Sequence, residues 1–223
     1  MRVSTWAGAR LVLQKELTAG RRFRAAWATM FMFALTTLAC VSLALSGARL
    51  SPSLAAALLW VILFFASMAG ADRVFVDEDT AGTLLALKVY GDSQAVLFGK
   101  MAYTLLLLLA MGTFTVPVFL VLLDVELAAA LLLLASVFLG LAGVAAAGTL
   151  MAALTVGAAV HSGLFSVLML PVILPVFLPA ISLTASAFGG GDAQIAFLGC
   201  LALYDAILAL GASALFDYLW YES

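Results

Sequence analysis

The absence of charge over one long stretch most constrains how this chain can fold. From Leu127 to Gly191 the sequence contains no Asp, Glu, Lys or Arg. One membrane span needs only about 20 apolar residues, and a soluble domain carries roughly a quarter charged residues. The chain of 223 residues is 66% hydrophobic and 10% charged, with a mean hydropathy of +1.22. The composition therefore excludes a soluble domain and predicts an all-α, polytopic membrane protein.

Interruptions of the apolar runs predict six transmembrane helices in a single membrane domain, residues 1–223. The interruptions are Arg49 with Pro52, the polar segment 72–100, Asp124 with Glu126, the turn around His161, and the glycine-rich turn that ends at Asp192. The predicted spans cover residues 25–48, 50–71, 101–123, 127–155, 164–182 and 193–219. Whether the loop 183–192 stays outside the membrane or folds back into it is left open.

Residues 3–24 are too few to span a membrane, and with Arg2 they carry six of the ten cations. Val3, Trp6, Leu13 and Leu17 recur at steps of three and four residues, which places them near one face of a helix. The pattern predicts an amphipathic helix that lies in the membrane interface.

The distribution of cations predicts the orientation in the membrane. Nine of the ten Lys and Arg residues lie in the N-terminal segment or in segment 72–100, and the tenth is Arg49. Cytoplasmic loops are enriched in Lys and Arg. We therefore expect both termini, segment 72–100 and the His161 turn to be cytoplasmic.

Segment 72–100 is the main polar stretch between spans, and we name it the coupling region. It holds eight charged residues, which are Asp72, Arg73, Asp77, Glu78, Asp79, Lys88, Asp92 and Lys100. Carboxylates at the start of a short helix are favoured by its dipole, and Asp92 or Ser93 is suited to cap a second short helix, 92–99. The segment is either a solvated loop or a docking element for a soluble partner. Since no GxxxxGK[ST] motif is present, ATP chemistry would have to come from another subunit.

The front half of the coupling region resembles a known motif. Phe75, Glu78 and the run Gly82-Thr83-Leu84 are similar to the cytoplasmic motif of the haem exporter protein B (CcmB) family, although Ala81 stands where that family has an acid. Residues 153–157 (ALTVG) and 168–176 (LMLPVILPV) resemble a second block of the same family. The resemblance extends over essentially the whole chain.

This resemblance implies a fold similar to ABC-2-type exporter permeases and a non-catalytic role in the bacterial inner membrane. Family members work with an ABC ATPase, a haem-handling membrane subunit, a small single-span subunit and a haem chaperone. Their task is either haem export or ATP-driven release of the haem-loaded chaperone. No directly bound cofactor and no nucleic acid is expected; haem is a candidate substrate, and ATP acts through the partner. The expected ATPase-docking residues are Phe75, Asp77, Glu78, Asp79, Gly82, Thr83, Leu84, Asp92, Ser93, Val96 and Leu97.

Two features of the later spans are candidates for a translocation path or gate. Pro171, Pro175 and Pro179 recur every four residues and predict either a bent or broken span or a set of carbonyls that line a path. Asp205, next to Tyr204, falls near mid-bilayer, where an ionisable residue is a functional candidate. Alternatively, Asp205 is a neutral carboxyl that is bonded to a nearby Ser or Thr.

Other residue types add little chemistry. Cys40 and Cys200 have no CxxC spacing and are expected to be small buried hydrophobic residues. His161 is the single histidine and is interpreted as a turn residue rather than a haem ligand. Two other functions stay open: export of another substrate (a lipid, polysaccharide or drug) by a similar permease, and an ATPase-independent membrane assembly factor.

Overall fold

The computed structural model describes residues 5–22, 24–71, 82–83, 87, 91–155, 161–191 and 195–222. Within these ranges the chain forms seven long helices joined by turns, and no strand. The helices are α1 (Thr5–Arg22), α2 (Arg24–Leu45), α3 (Pro52–Ala71), α4 (Ser93–Leu122), α5 (Ala130–Thr155), α6 (His161–Ala187) and α7 (Ala196–Glu222).

Helices α2 to α7 are each long and apolar enough to cross a membrane. Their apolar segments are Trp27–Leu45, Pro52–Ala69, Ser93–Leu122, Ala130–Thr155, Val167–Ala187 and Ala196–Tyr218. Helix α1 is the exception, because its 18 residues include four cations and a glutamate. The all-α fold class and the six predicted spans are confirmed.

The turns that follow α2, α4 and α6 meet at one end of the bundle, which we call the hairpin face. Arg49 lies 3.9 Å from a carboxylate oxygen of Asp124 and 3.6 Å from one of Glu126. The backbone N–H of Ala128 donates to the carbonyl of Ala187 at 2.9 Å. The opposite end, the terminal face, contains α1, the start of α4 and the end of α7.

Helix α5 lies at the centre of the bundle and contacts α3, α4, α6 and α7. Its glycines allow this, because the ring of Trp60 occupies the space that a Cβ atom at Gly140 would need. The buried Trp60 indole donates to Thr184 at 2.9 Å, and Thr184 lies 3.1 Å from the hydroxyl of Ser136. Buried polar groups are normally bonded in this way. The small residues of α5 therefore let large side chains of neighbouring helices pack against its backbone.

One local expectation was wrong. The short helix expected at 92–99 is not separate, because α4 runs without interruption from Ser93 to Leu122. Asp92 does cap it, accepting a hydrogen bond from the Ala95 N–H at 3.4 Å. Of the two forms predicted for the proline-rich span, bent or broken, the break is excluded, since α6 continues through all three prolines.

Candidate functional site

The predicted docking residues fall into three groups. Phe75, Asp77, Glu78, Asp79 and Leu84 lie outside the described residues. Gly82, Thr83 and Asp92 are exposed, and Gly82 has a φ of +67°, a backbone conformation that favours glycine. Ser93, Val96 and Leu97 are buried inside the chain. These last three therefore hold α4 in place and present no surface to a partner in this conformation.

The first turn of α4 is bonded to the last turns of α7. The Ser93 hydroxyl donates to the carboxylate of Asp217. The Gln94 amide donates to the Ser213 carbonyl at 3.0 Å, and the Ser213 hydroxyl donates back to the Gln94 side-chain oxygen at 2.7 Å. Ser213 and Asp217 are four residues apart and so lie on one face of α7. Three hydrogen bonds thus join the end of the coupling region to the C-terminal helix.

Helix α1 packs closely against the first turns of α4 through small residues. A Cβ atom at Gly99 would lie 2.6 Å from the Val12 Cβ and 2.9 Å from the Ala9 carbonyl oxygen. A Cβ atom at Gly8 would lie 2.9 Å from the Ala95 Cβ. Small residues let helix backbones approach in this way. Helix α1 is therefore fixed to the bundle, and its predicted position in the membrane interface stays a prediction.

A buried ion pair joins the same two helices. The Lys100 ammonium lies 2.9 Å from a Glu16 carboxylate oxygen, and the two side chains are 0% and 12% exposed. Lys100 was expected either in water or against a partner protein with the rest of the coupling region, and for this residue that expectation is wrong. A buried charge is strongly unfavourable unless an opposite charge accompanies it. We name the assembly of α1, the first two turns of α4 and the last turns of α7 the junction.

Sequence reasoning missed most of the junction. It did not find the roles of Glu16, Gln94, Lys100, Ser213 and Asp217. Their pairings join residues far apart in the chain, and no local periodicity reports such contacts. Two signals were available in the sequence. Lys100 is a single lysine at the start of an apolar run, and Ser213 and Asp217 are four residues apart near the end of the last span.

The three prolines do not share one environment. Pro171 and Pro175 lie on the outer surface of the described chain, whereas Pro179 is buried. Each removes a backbone donor from α6. On this helix the Tyr204 hydroxyl of α7 donates to the Val172 carbonyl at 2.9 Å. The prolines therefore do not line a single internal path in this conformation.

Asp205 points into the bundle. Both of its carboxyl oxygens are buried and have no hydrogen-bond partner among the described residues. A Cβ atom at Gly143 of α5 would overlap one of these oxygens and would lie 2.9 Å from a methyl group of Val176 on α6. Of the two alternatives for Asp205, the bond to a nearby Ser or Thr is not formed among the described residues. Asp205 occupies a slot where α5, α6 and α7 meet.

In the described ranges no group of three or more His, Cys, Asp and Glu side chains could hold a metal ion. Cys40 and Cys200 are unbridged and exposed on the outer surface of the helices. The expectation that they are buried was wrong, and the reason is that α2 and α7 are peripheral helices. Among the described residues, the candidate functional features are therefore the contacts of the junction between α1, α4 and α7 and the buried carboxyl of Asp205.

Comparison with known proteins agrees with this architecture. A search among curated proteins finds no match to the chain. The sequence model of the family described as CcmB protein matches residues 8–216, which is nearly the whole chain. The matched range contains both motif regions, the first five spans, most of the sixth span and most of α1. The chain therefore belongs to the CcmB family.

Proposed function

We propose that this protein is the permease subunit of an ABC transporter complex required for c-type cytochrome biogenesis, and that it converts the movement of an ATPase partner into movement of its spans. The family match over residues 8–216 carries the proposal. Six apolar spans and the absence of a phosphate-binding GxxxxGK[ST] motif support a membrane subunit that receives the energy of ATP hydrolysis from a partner.

The docking surface in this proposal is the front of the coupling region. It consists of Phe75, Asp77, Glu78, Asp79, Gly82, Thr83 and Leu84, with Asp92 at its far end. The carboxylates provide negative charge for a basic partner surface, which favours correct encounter and orientation. Ser93, Val96 and Leu97 act behind this surface, because their side chains are buried in the chain.

The junction provides the route from the docking surface to the spans. Asp92 caps α4, so a displacement of the coupling region acts directly on the start of that helix. The bonds of Ser93 and Gln94 carry the displacement to α7. The Lys100–Glu16 pair and the close contact at Gly99 carry it to α1. A displacement of the coupling region would therefore move α1, α4 and α7 together.

The transport step has two forms within the family, haem export and ATP-driven release of a haem-loaded chaperone. The proposed partners in both are the ABC ATPase, the haem-handling membrane subunit, the small single-span subunit and the haem chaperone. The proposed location is the bacterial inner membrane with both termini cytoplasmic. Haem content of the purified complex before and after ATP addition separates the two forms.

The test is reversal of charge at the docking surface. We expect Glu78→Lys to abolish co-purification of the ATPase and, with it, the assembly of c-type cytochromes. The matched control is Glu126→Lys, since Glu126 lies on the hairpin face with 85% of its side chain exposed. Intact co-purification and cytochrome assembly in Glu78→Lys would contradict the docking surface. Normal c-type cytochromes after deletion of the gene would contradict the proposed function as a whole.

A further inference from the structure

Asp205 is the feature that the proposed function leaves unused. It is the tenth residue of α7, so it lies about 14 Å from the start of that helix at about 1.5 Å per residue. The hydrocarbon core of a membrane is about 30 Å thick, which places Asp205 near its middle. Neither carboxyl oxygen has a hydrogen-bond partner among the described residues, and both are shielded from solvent.

In the part of the chain that the structure describes, no charged group from the neighbouring helices faces this carboxyl. Helix α5 has no titratable side chain, and the one on α6 is His161, at its first residue and 15 positions before Val176. Helix α4 contributes Lys100 and Tyr103, and Lys100 pairs with Glu16 at the terminal face.

Titratable groups on α7 itself are also accounted for. The adjacent Tyr204 donates its hydroxyl hydrogen to the Val172 carbonyl. Asp217 accepts a hydrogen bond from Ser93 at the terminal face, and Cys200 and Tyr218 are exposed on the outer surface. The remaining groups, Tyr221 and Glu222, are at the end of the helix.

An isolated carboxylate in such surroundings is far less favourable than the neutral acid, because no cation or hydrogen-bond donor among the described residues compensates the lost hydration. The slot also has little spare room. Gly143 leaves the space that the carboxyl fills, and the Val176 methyl groups close the other side. Nothing larger than hydrogen is tolerated at residue 143 while the carboxyl is in place. The geometry therefore favours the protonated, neutral form of Asp205.

We propose that Asp205 is a proton-binding site that is emptied and refilled as the helices move. With α7 against α5, the carboxyl carries a proton. When α7 separates from Gly143 and water enters, the O–H bond breaks, the proton passes to a water molecule, and a hydrated carboxylate remains. Closure reverses the step. This goes beyond the proposed function, which requires movement of α7 but no proton.

The junction gives this site a means of opening. Ser213 and Asp217 lie eight and twelve residues beyond Asp205 on the same helix and are the residues that bond to α4. Displacement of the start of α4 would therefore move the terminal end of α7 and tilt that helix against α5. The contact between Asp205 and Gly143 would change in the same movement.

The direct test is infrared spectroscopy of the purified protein at neutral pH, with aspartate labelled by carbon-13. We expect a label-sensitive band of a protonated carboxyl group, lost in Asp205→Asn and retained in Asp124→Asn, whose parent side chain is 86% exposed. Absence of the band in the wild type overturns the proposal. Because the wild-type spectrum decides, poor folding of a variant does not remove the test.

A second test separates proton exchange from a permanently neutral side chain. Asn has the shape of the protonated acid and cannot release a proton. We expect Asp205→Asn to retain co-purification of the ATPase and to lose cytochrome c assembly down to the level of a deletion strain. Full cytochrome assembly in this variant overturns the proposal that Asp205 releases and rebinds a proton. The infrared result stands even if the cytochrome function itself proves wrong.

Discussion

Two glycines of α5 show how single residues set the packing of this bundle. Gly140 receives the ring of Trp60 from α3, and Gly143 receives the carboxyl of Asp205 from α7. Both lie on the inward-facing part of the central helix, about one turn apart. A side chain at either position would occupy the place of a residue from another helix. These two glycines therefore matter because they lack a Cβ atom and so leave room for side chains of other helices, and not because they make the backbone flexible.

We predict that Gly140→Ala destabilises the protein by about 1–3 kcal/mol, because the added methyl group forces the buried Trp60 ring out of place. The matched control is Gly199→Ala in α7, where no atom lies within 4 Å of the new Cβ. Alanine there favours the helix by up to about 1 kcal/mol. Melting temperatures in detergent measure both effects. Equal melting temperatures for the two variants would contradict the packing.

At the scale of elements, α1 is joined to α4 by both shape and charge. Gly8 and Gly99 let the helices approach, Trp6 stacks on Phe98 with ring centroids 6.2 Å apart, and the Lys100–Glu16 pair lies in the contact. Such a pair contributes little net stability compared with apolar residues of similar size, but breaking it leaves a buried charge. It therefore fixes which part of α1 meets α4.

We predict that Glu16→Gln and Lys100→Met each destabilise the protein by about 3–5 kcal/mol, because each removes one charge of a buried pair. The double variant Glu16→Gln with Lys100→Met is expected to be more stable than either single variant, since no buried charge remains. Thermal unfolding of the four proteins measures the coupling. The control is Arg49→Met, whose parent side chain is 76% exposed on the hairpin face. A double variant less stable than both singles would contradict the prediction.

At the scale of the molecule, the bundle has two unlike faces. The hairpin face contains short turns and the exposed pairs of Arg49 with Asp124 and Glu126. Exposed pairs of this kind contribute about 0–1 kcal/mol. The terminal face contains the junction and, in the sequence, most of the cations. In the proposed mechanism, a displacement at the terminal face is transmitted along α4 and α7 to the middle of the bundle.

We predict that the terminal face is cytoplasmic, because nine of the ten cations are in segments next to it. In a background with Cys40→Ser and Cys200→Ser, a membrane-impermeant maleimide added to spheroplasts should label Ser51→Cys at the hairpin face. It should label Lys15→Cys only after the membrane is permeabilised. Labelling of Lys15→Cys in intact spheroplasts would contradict the orientation.

The sequence by itself determined the class, the six spans and the family, and it narrowed the cap of α4 to Asp92 or Ser93. Each depends on local composition or on a motif, because about 20 apolar residues must form a helix to satisfy their backbone in lipid. Only the tertiary structure decided the pairing of Lys100 with Glu16, the bonds between α4 and α7, the burial of Val96 and Leu97, and the slot around Asp205. These depend on which helices are neighbours, and uniformly apolar spans carry almost no periodic signal to specify that.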